Sequence, residues 1–234
     1  MQNTIAKQET LSQLTNSARL VGSLMLAQMI FGILLNFFIL TPILKLDAQS
    51  VTSSLPYLVG FSTLLALLLS SFNIAFGLLL PRSMTQRTSR TFMFMVIFAS
   101  VGFVLCALEY INMTKYVSYA SSLIEQAGDS ITPDQELFRK TLATGRNEAH
   151  FLSIIISSVS ILLFYVVTLR RNLIPKPLCF FAIVACTMQI IAVGHTLFGL
   201  AIPTIMQLPL LISQIIVPIY LIAKGFNGTS TTPS

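Results

Sequence analysis

The chain has no tryptophan, two histidines and three cysteines, and only 9% of its 234 residues are charged. A soluble domain carries about 25% charged residues. So little charge cannot give a water-covered surface, which excludes an ordinary soluble enzyme. The net charge of +6 would suggest a polyanion partner in a soluble protein. Here the cations are spread through short connections, so no nucleic acid is expected. Cys106, Cys179 and Cys186 all fall in apolar segments without metal-type spacing, and lipid-buried free thiols are expected. No metalloprotease helix, glycine-rich phosphate loop or nucleophile elbow occurs.

What the sequence has in abundance is apolar length: 54% of residues are hydrophobic, and mean hydropathy is +0.81. The apolar segments do not alternate and are long enough to span a bilayer as helices. They run from about Leu20 to Leu40, Tyr57 to Leu80, Thr91 to Met113, His150 to Leu169, Leu178 to Leu200 and Pro203 to Ala223. The fold class expected is all-α, a polytopic membrane protein with six transmembrane helices. The divisions are a polar segment 1–17, a transmembrane domain 18–226 with an outer loop 114–149, and a flexible tail 227–234. The first apolar run is too long for a signal-peptide core and is expected to stay as the first span.

Orientation follows the cations of the short connections. Lys7 and Arg19, then Arg82, Arg87 and Arg90, then Arg170, Arg171 and Lys176, and finally Lys224 all share one side. This predicts cytoplasmic termini. The loop 114–149 then lies outside. Tyr116–Ala127 has helical character, ending at Gly128 as a C-terminal cap. Thr132-Pro133-Asp134-Gln135 reads as a capping box opening a second short helix to about Thr144, with Gly145 after it and Asn147 capping the fourth span. Two short helices forming an outer lid are expected.

Glu109 is the only carboxylate inside the apolar segments. Charge in hydrocarbon is costly, so an intramembrane acid marks a candidate functional site. At about 1.5 Å rise per residue, Glu109, His195 and Asn36 lie about 25–27 Å from the cytoplasmic face. His150 opens the fourth span from outside, and Gln207 is one turn inside the sixth. These five are the candidate ligand-binding residues. Two readings stand open. Glu109, His150 and His195 hold a divalent metal or relay protons if their faces converge; the axial offset of the histidines disfavours haem. Otherwise Glu109 pairs with Arg146 or Lys115, and the rest bond neighbouring helices. A deeper layer holds the amides Gln28, Gln189, Gln214 and Asn73. Ser153 and Ser157 form a small-xxx-small pair for close packing. Pro209 and Pro218 are expected to kink the sixth span.

Ala18-Arg19-Leu20-Val21-Gly22, Ala149-His150-Phe151, Tyr165 through Pro175, Leu208-Pro209 and Ile219 through Asn227 occur in an order and spacing similar to a bacterial family. It is the domain-of-unknown-function family four-three-eight-six, small six-helix membrane proteins. The likeness runs from Ala18 to Asn227. It implies a bacterial inner-membrane location and no particular activity. It also matches His150 to a histidine found in some members, and Gln214 to a position where a carboxylate is common. The function expected is an uncharacterised, non-enzymatic integral membrane protein that binds a small ligand, a membrane partner or a second copy of itself. The alternative is a metal- or proton-handling site in a membrane enzyme or transporter.

Overall fold

In the computed structural model, residues 2–44, 55–80, 89–127 and 131–227 are described. The expected Gly128 cap, the cations Arg82 and Arg87, and nearly all of the tail lie outside them. Among the described residues every regular element is helical, and six helices are long and apolar enough to cross a membrane. They are α1 (Gln2–Leu34), α2 (Leu55–Leu78), α3 (Ser89–Ala127), α4 (Pro133–Arg170), α5 (Lys176–Gly194) and α6 (Leu208–Lys224). The chain is a multi-pass membrane protein. The six helices close a ring: α1 packs on α2 and α6, α6 on α5, α5 on α4, α4 on α3, and α3 on α2.

The longest helices form an antiparallel hairpin. At about 1.5 Å per residue, α3 and α4 each reach about 57 Å, nearly twice the hydrocarbon thickness. The outer loop is helical, as expected, but not as two separate pieces laid across the bundle. It continues α3 and α4, so Gly145 and Asn147 lie inside α4 instead of ending and capping helices. A single glycine costs a helix about 1 kcal/mol, which packing along the hairpin readily offsets. The capping box at Thr132 forms in both directions: Gln135 N–H donates to Thr132 Oγ1 at 3.3 Å, and Thr132 N–H to Gln135 Oε1 at 2.9 Å.

Register within the hairpin is held by contacts seven residues apart on both helices. Ser160 Oγ donates to Met95 O (2.9 Å), Ser153 Oγ to Gly102 O (3.2 Å), and Arg146 Nη2 to Glu109 Oε1 (2.8 Å). Gly102 lets the helices touch, since a Cβ there would sit 2.5 Å from Ser157 Oγ. The Ser153/Ser157 pair does pack closely, on Gly102.

At the end carrying both termini, the termini end, all six helices interlock. Ala18, Val21, Phe76, Met95, Phe164, Tyr165, Cys179, Cys186, Val217 and Leu221 belong to one buried apolar core there. Gly22 sits against α6, where a Cβ would lie 2.8 Å from Pro218 O. Pro218 lies inside α6, but Pro209 sits in its first turn and therefore starts the helix instead of kinking it.

Toward the other end, the hairpin end, the walls differ. The hairpin wall is unbroken helix. Opposite it, α1 passes into a π-helical turn (Leu35–Leu40), with Thr41 N–H donating to Asn36 O, before a last turn Thr41–Leu44. Likewise α5 ends in a 3-10 turn (His195–Phe198), and another 3-10 turn (Thr204–Gln207) leads into α6.

Candidate functional site

A buried charge needs a partner, because its desolvation is otherwise uncompensated. Glu109 on α3 is 4% exposed and meets two partners from α4. Arg146 Nη2 lies 2.8 Å from Oε1, and His150 Nδ1 lies 3.0 Å from the same oxygen. Arg146 and His150 are four residues apart, so one helical face presents both. Arg146 is 6% exposed. It also donates from Nη1 to Asn147 Oδ1 at 3.1 Å, and its Nε is buried without a partner. An ionised carboxylate only accepts, so the His150 contact places that ring's proton on Nδ1 and leaves Nε2 free to accept. With His150 neutral, the cluster carries no net charge.

Glu109 and His150 line a cavity of about 620 Å³ to which every transmembrane helix contributes. Its wall includes Asn36 from the π-helical turn, Gln207, and all four amides of the deeper layer: Gln28, Asn73, Gln189 and Gln214. Helix rise puts those amides about 12–20 Å from the termini end, and His150 about 30 Å from it. The cavity is therefore about 18 Å tall. Gln28 Nε2 donates to Asn73 Oδ1 (3.2 Å) and to Leu69 O (3.1 Å), which ties α1 to α2 at its floor. Gln189 is 9% exposed, and its Oε1 is buried with no hydrogen-bond partner. Below the amides lies the apolar core of the termini end.

The structure brings four of the five candidate residues to this cavity and leaves out the fifth. His195 does not line it. Its Nδ1 is 2.8 Å from Ile191 O, a carbonyl of its own helix turn. Regular helical steps of about 100° per residue put His195 on the side of α5 away from Gln189 and Val193, which line the cavity, so equal depth did not bring it to the same face. No group of three metal-ligating side chains exists among the described residues, so the set Glu109, His150 and His195 is not assembled. Asn36 donates to Gly32 O of its own helix at 2.9 Å and not to a neighbouring helix. Sequence depth alone did not single out Cys106, Tyr110 or Ser70, which also line the cavity. Cys106 and Tyr110 could have been found from spacing, because they flank Glu109 on α3, three residues before and one after.

The model of the family described as Domain of unknown function (DUF4386) matches residues 20–225. The chain belongs to that family. Comparison with curated proteins and with solved structures finds no match. This DUF4386 member therefore shares its architecture with a family whose description assigns no activity, and its chemistry has to be argued from the cavity.

Proposed function

We propose that this protein is a non-enzymatic, ligand-binding protein of the bacterial inner membrane, with both termini cytoplasmic and the cavity opening outward. One observation carries the reading: Glu109, His150, Asn36, Gln207 and four deeper amides share one cavity of about 620 Å³, closed beneath by apolar packing. That volume falls in the range of small-molecule sites, about 300–1,000 Å³. The cations of the short connections support the orientation. Arg146 serves as the counterion of Glu109, so that His150 is oriented and one polar end of the cavity is fixed.

The chain carries its own reporters. Cys106 lines the cavity, whereas Cys179 and Cys186 are buried in the apolar core. Intact cells would be treated with a membrane-impermeant methanethiosulfonate, and modified peptides read by mass spectrometry. Cys106, or a Ser70→Cys variant on the same wall, is expected to react at least about tenfold faster than Cys179 and Cys186. Equal inertness of all four positions would sink the reading.

A second reading, proton handling, is favoured by the 3.0 Å contact between His150 Nδ1 and Glu109. It expects proton uptake by proteoliposomes that is lost in both Glu109→Gln and His150→Phe. Flux equal to that of empty vesicles would remove it.

A further inference from the structure

The cavity has a side opening, and its position identifies the phase from which a ligand arrives. Most residues lining the cavity are buried or half-buried. The lining residues exposed on the outer surface of the molecule are Ile33, Asn36 and Phe37 on α1 and Leu211 on α6. Exposure is 41% for Ile33, 70% for Phe37 and 42% for Leu211. These residues mark a lateral gap between α1 and α6. These two helices are clamped at the termini end, where Gly22 meets Pro218, Leu221 and Ile222. Toward the hairpin end they part: the π-helical turn of α1 packs on α2, and the 3-10 turn preceding α6 packs on α5. Counted by helix rise from Arg19 and Lys224, the rim lies about 20–27 Å from the termini end. That is within a hydrocarbon core of about 30 Å and in its far half. This side opening faces acyl chains, in addition to the outward mouth proposed above.

The interior specifies the head group that such a ligand carries. Glu109 is already matched by Arg146, so an anionic head would meet a carboxylate and a cationic head would find that carboxylate engaged. Deeper in, Gln189 Oε1 is an acceptor without a donor. Such a group, cut off from water, is satisfied by a ligand that donates a hydrogen bond. Ile33 and Phe37 at the rim, with Leu210 and Ile154 on the wall, suit a hydrocarbon tail.

We infer that the occupant is an uncharged, hydroxyl-bearing single-chain amphiphile. It enters from the outer leaflet between α1 and α6, with its hydroxyl on Gln189 and its tail leaving past Ile33 and Phe37. This rests on the ligand-binding reading above and adds the ligand's class and route.

The test uses the full chain in liposomes containing a diazirine-tagged monoacylglycerol, with a diazirine-tagged fatty acid as the anionic comparison. After photolysis, labelled peptides are mapped. The monoacylglycerol is expected to label the Ile33–Phe37 and Gln189 regions. Excess untagged monoacylglycerol should abolish that labelling, and Gln189→Leu should lower it at least about fivefold. Leu211→Trp, an exposed rim position that folding does not depend on, is expected to lower it similarly. Three results would overturn the inference: labelling spread evenly over exposed positions such as Phe180, labelling indifferent to both variants, or stronger labelling by the fatty acid. If Ser70→Cys reacts with the aqueous thiol reagent while the lipid fails to label, only this inference falls. If neither probe reaches the cavity, the ligand-binding reading falls with it.

Discussion

The two ends of the bundle use the same six helices for opposite purposes. At the termini end, glycine and alanine bring the backbones together around a mainly apolar core. At the hairpin end, the same helices separate around amides and an ion pair. Lipid provides no hydrophobic drive for helices to associate, so close packing has to come from shape and small residues. Where the small residues stop, α1 and α6 diverge, and the polar side chains between them define a cavity.

The sharpest way to break this contrast is to unbalance the hairpin end. Arg146→Met leaves Glu109 buried without its counterion. It is expected to lose about 3–5 kcal/mol in reversible unfolding in mixed micelles. Glu109→Leu combined with Arg146→Met should return to within about 1 kcal/mol of wild type, because both charges are gone. A neutral single variant would mean that the pair contributes nothing.

At the termini end the same measurement should find packing in control. Phe164, 1% exposed in the core, is expected to cost about 3 kcal/mol as Phe164→Ala. Gly22→Ala forces a methyl to within 3.0 Å of atoms of α6 and should cost about 1–3 kcal/mol. Gly32, ten residues along the same helix, faces open space: a methyl there would have no neighbour within 4 Å. Gly32→Ala should therefore fall within about 0.5 kcal/mol of wild type. Equal effects at the two glycines would erase the distinction between the ends. A similarly small effect is expected from Gln189→Leu, neutral to slightly stabilising within about 0.5 kcal/mol, since it removes an acceptor that has no protein donor. A large loss there would mean that the amide bonds to protein and does not serve the cavity.

The sequence made the architecture readable because spanning length and scarcity of charge are properties of the chain, independent of packing. Depth was readable for the same reason. Glu109 was placed in the outer third by helix rise and His150 at the outer start of its span, and they lie 3.0 Å apart. Arg146, one of two cations considered for Glu109, is the one that pairs with it. Direction around the helix axis was not readable. It accumulates about 100° per residue, so any 3-10 or π segment changes it without changing depth much. His195, six residues past Gln189 and two past Val193, is carried about 200–240° from the cavity face of α5 by those ordinary steps, away from its equals in height. The helical lid failed for another reason. Gly145 and Asn147 are locally good stop and cap residues, but local preference was outweighed by continuous packing of α3 on α4.

The seven-residue spacing of the hairpin contacts makes it a ruler. Met95, Gly102 and Glu109 count up one helix as Ser160, Ser153 and Arg146 count down the other. Adding or deleting one residue between Gly102 and Glu109 would swing the carboxylate by about 100° away from its counterion. The same change beyond Arg146, toward the connection of α3 and α4, would leave every mark aligned. Insertions near the tip should therefore disturb the hairpin register least, which makes the tip the natural place to graft a tag or a reporter domain.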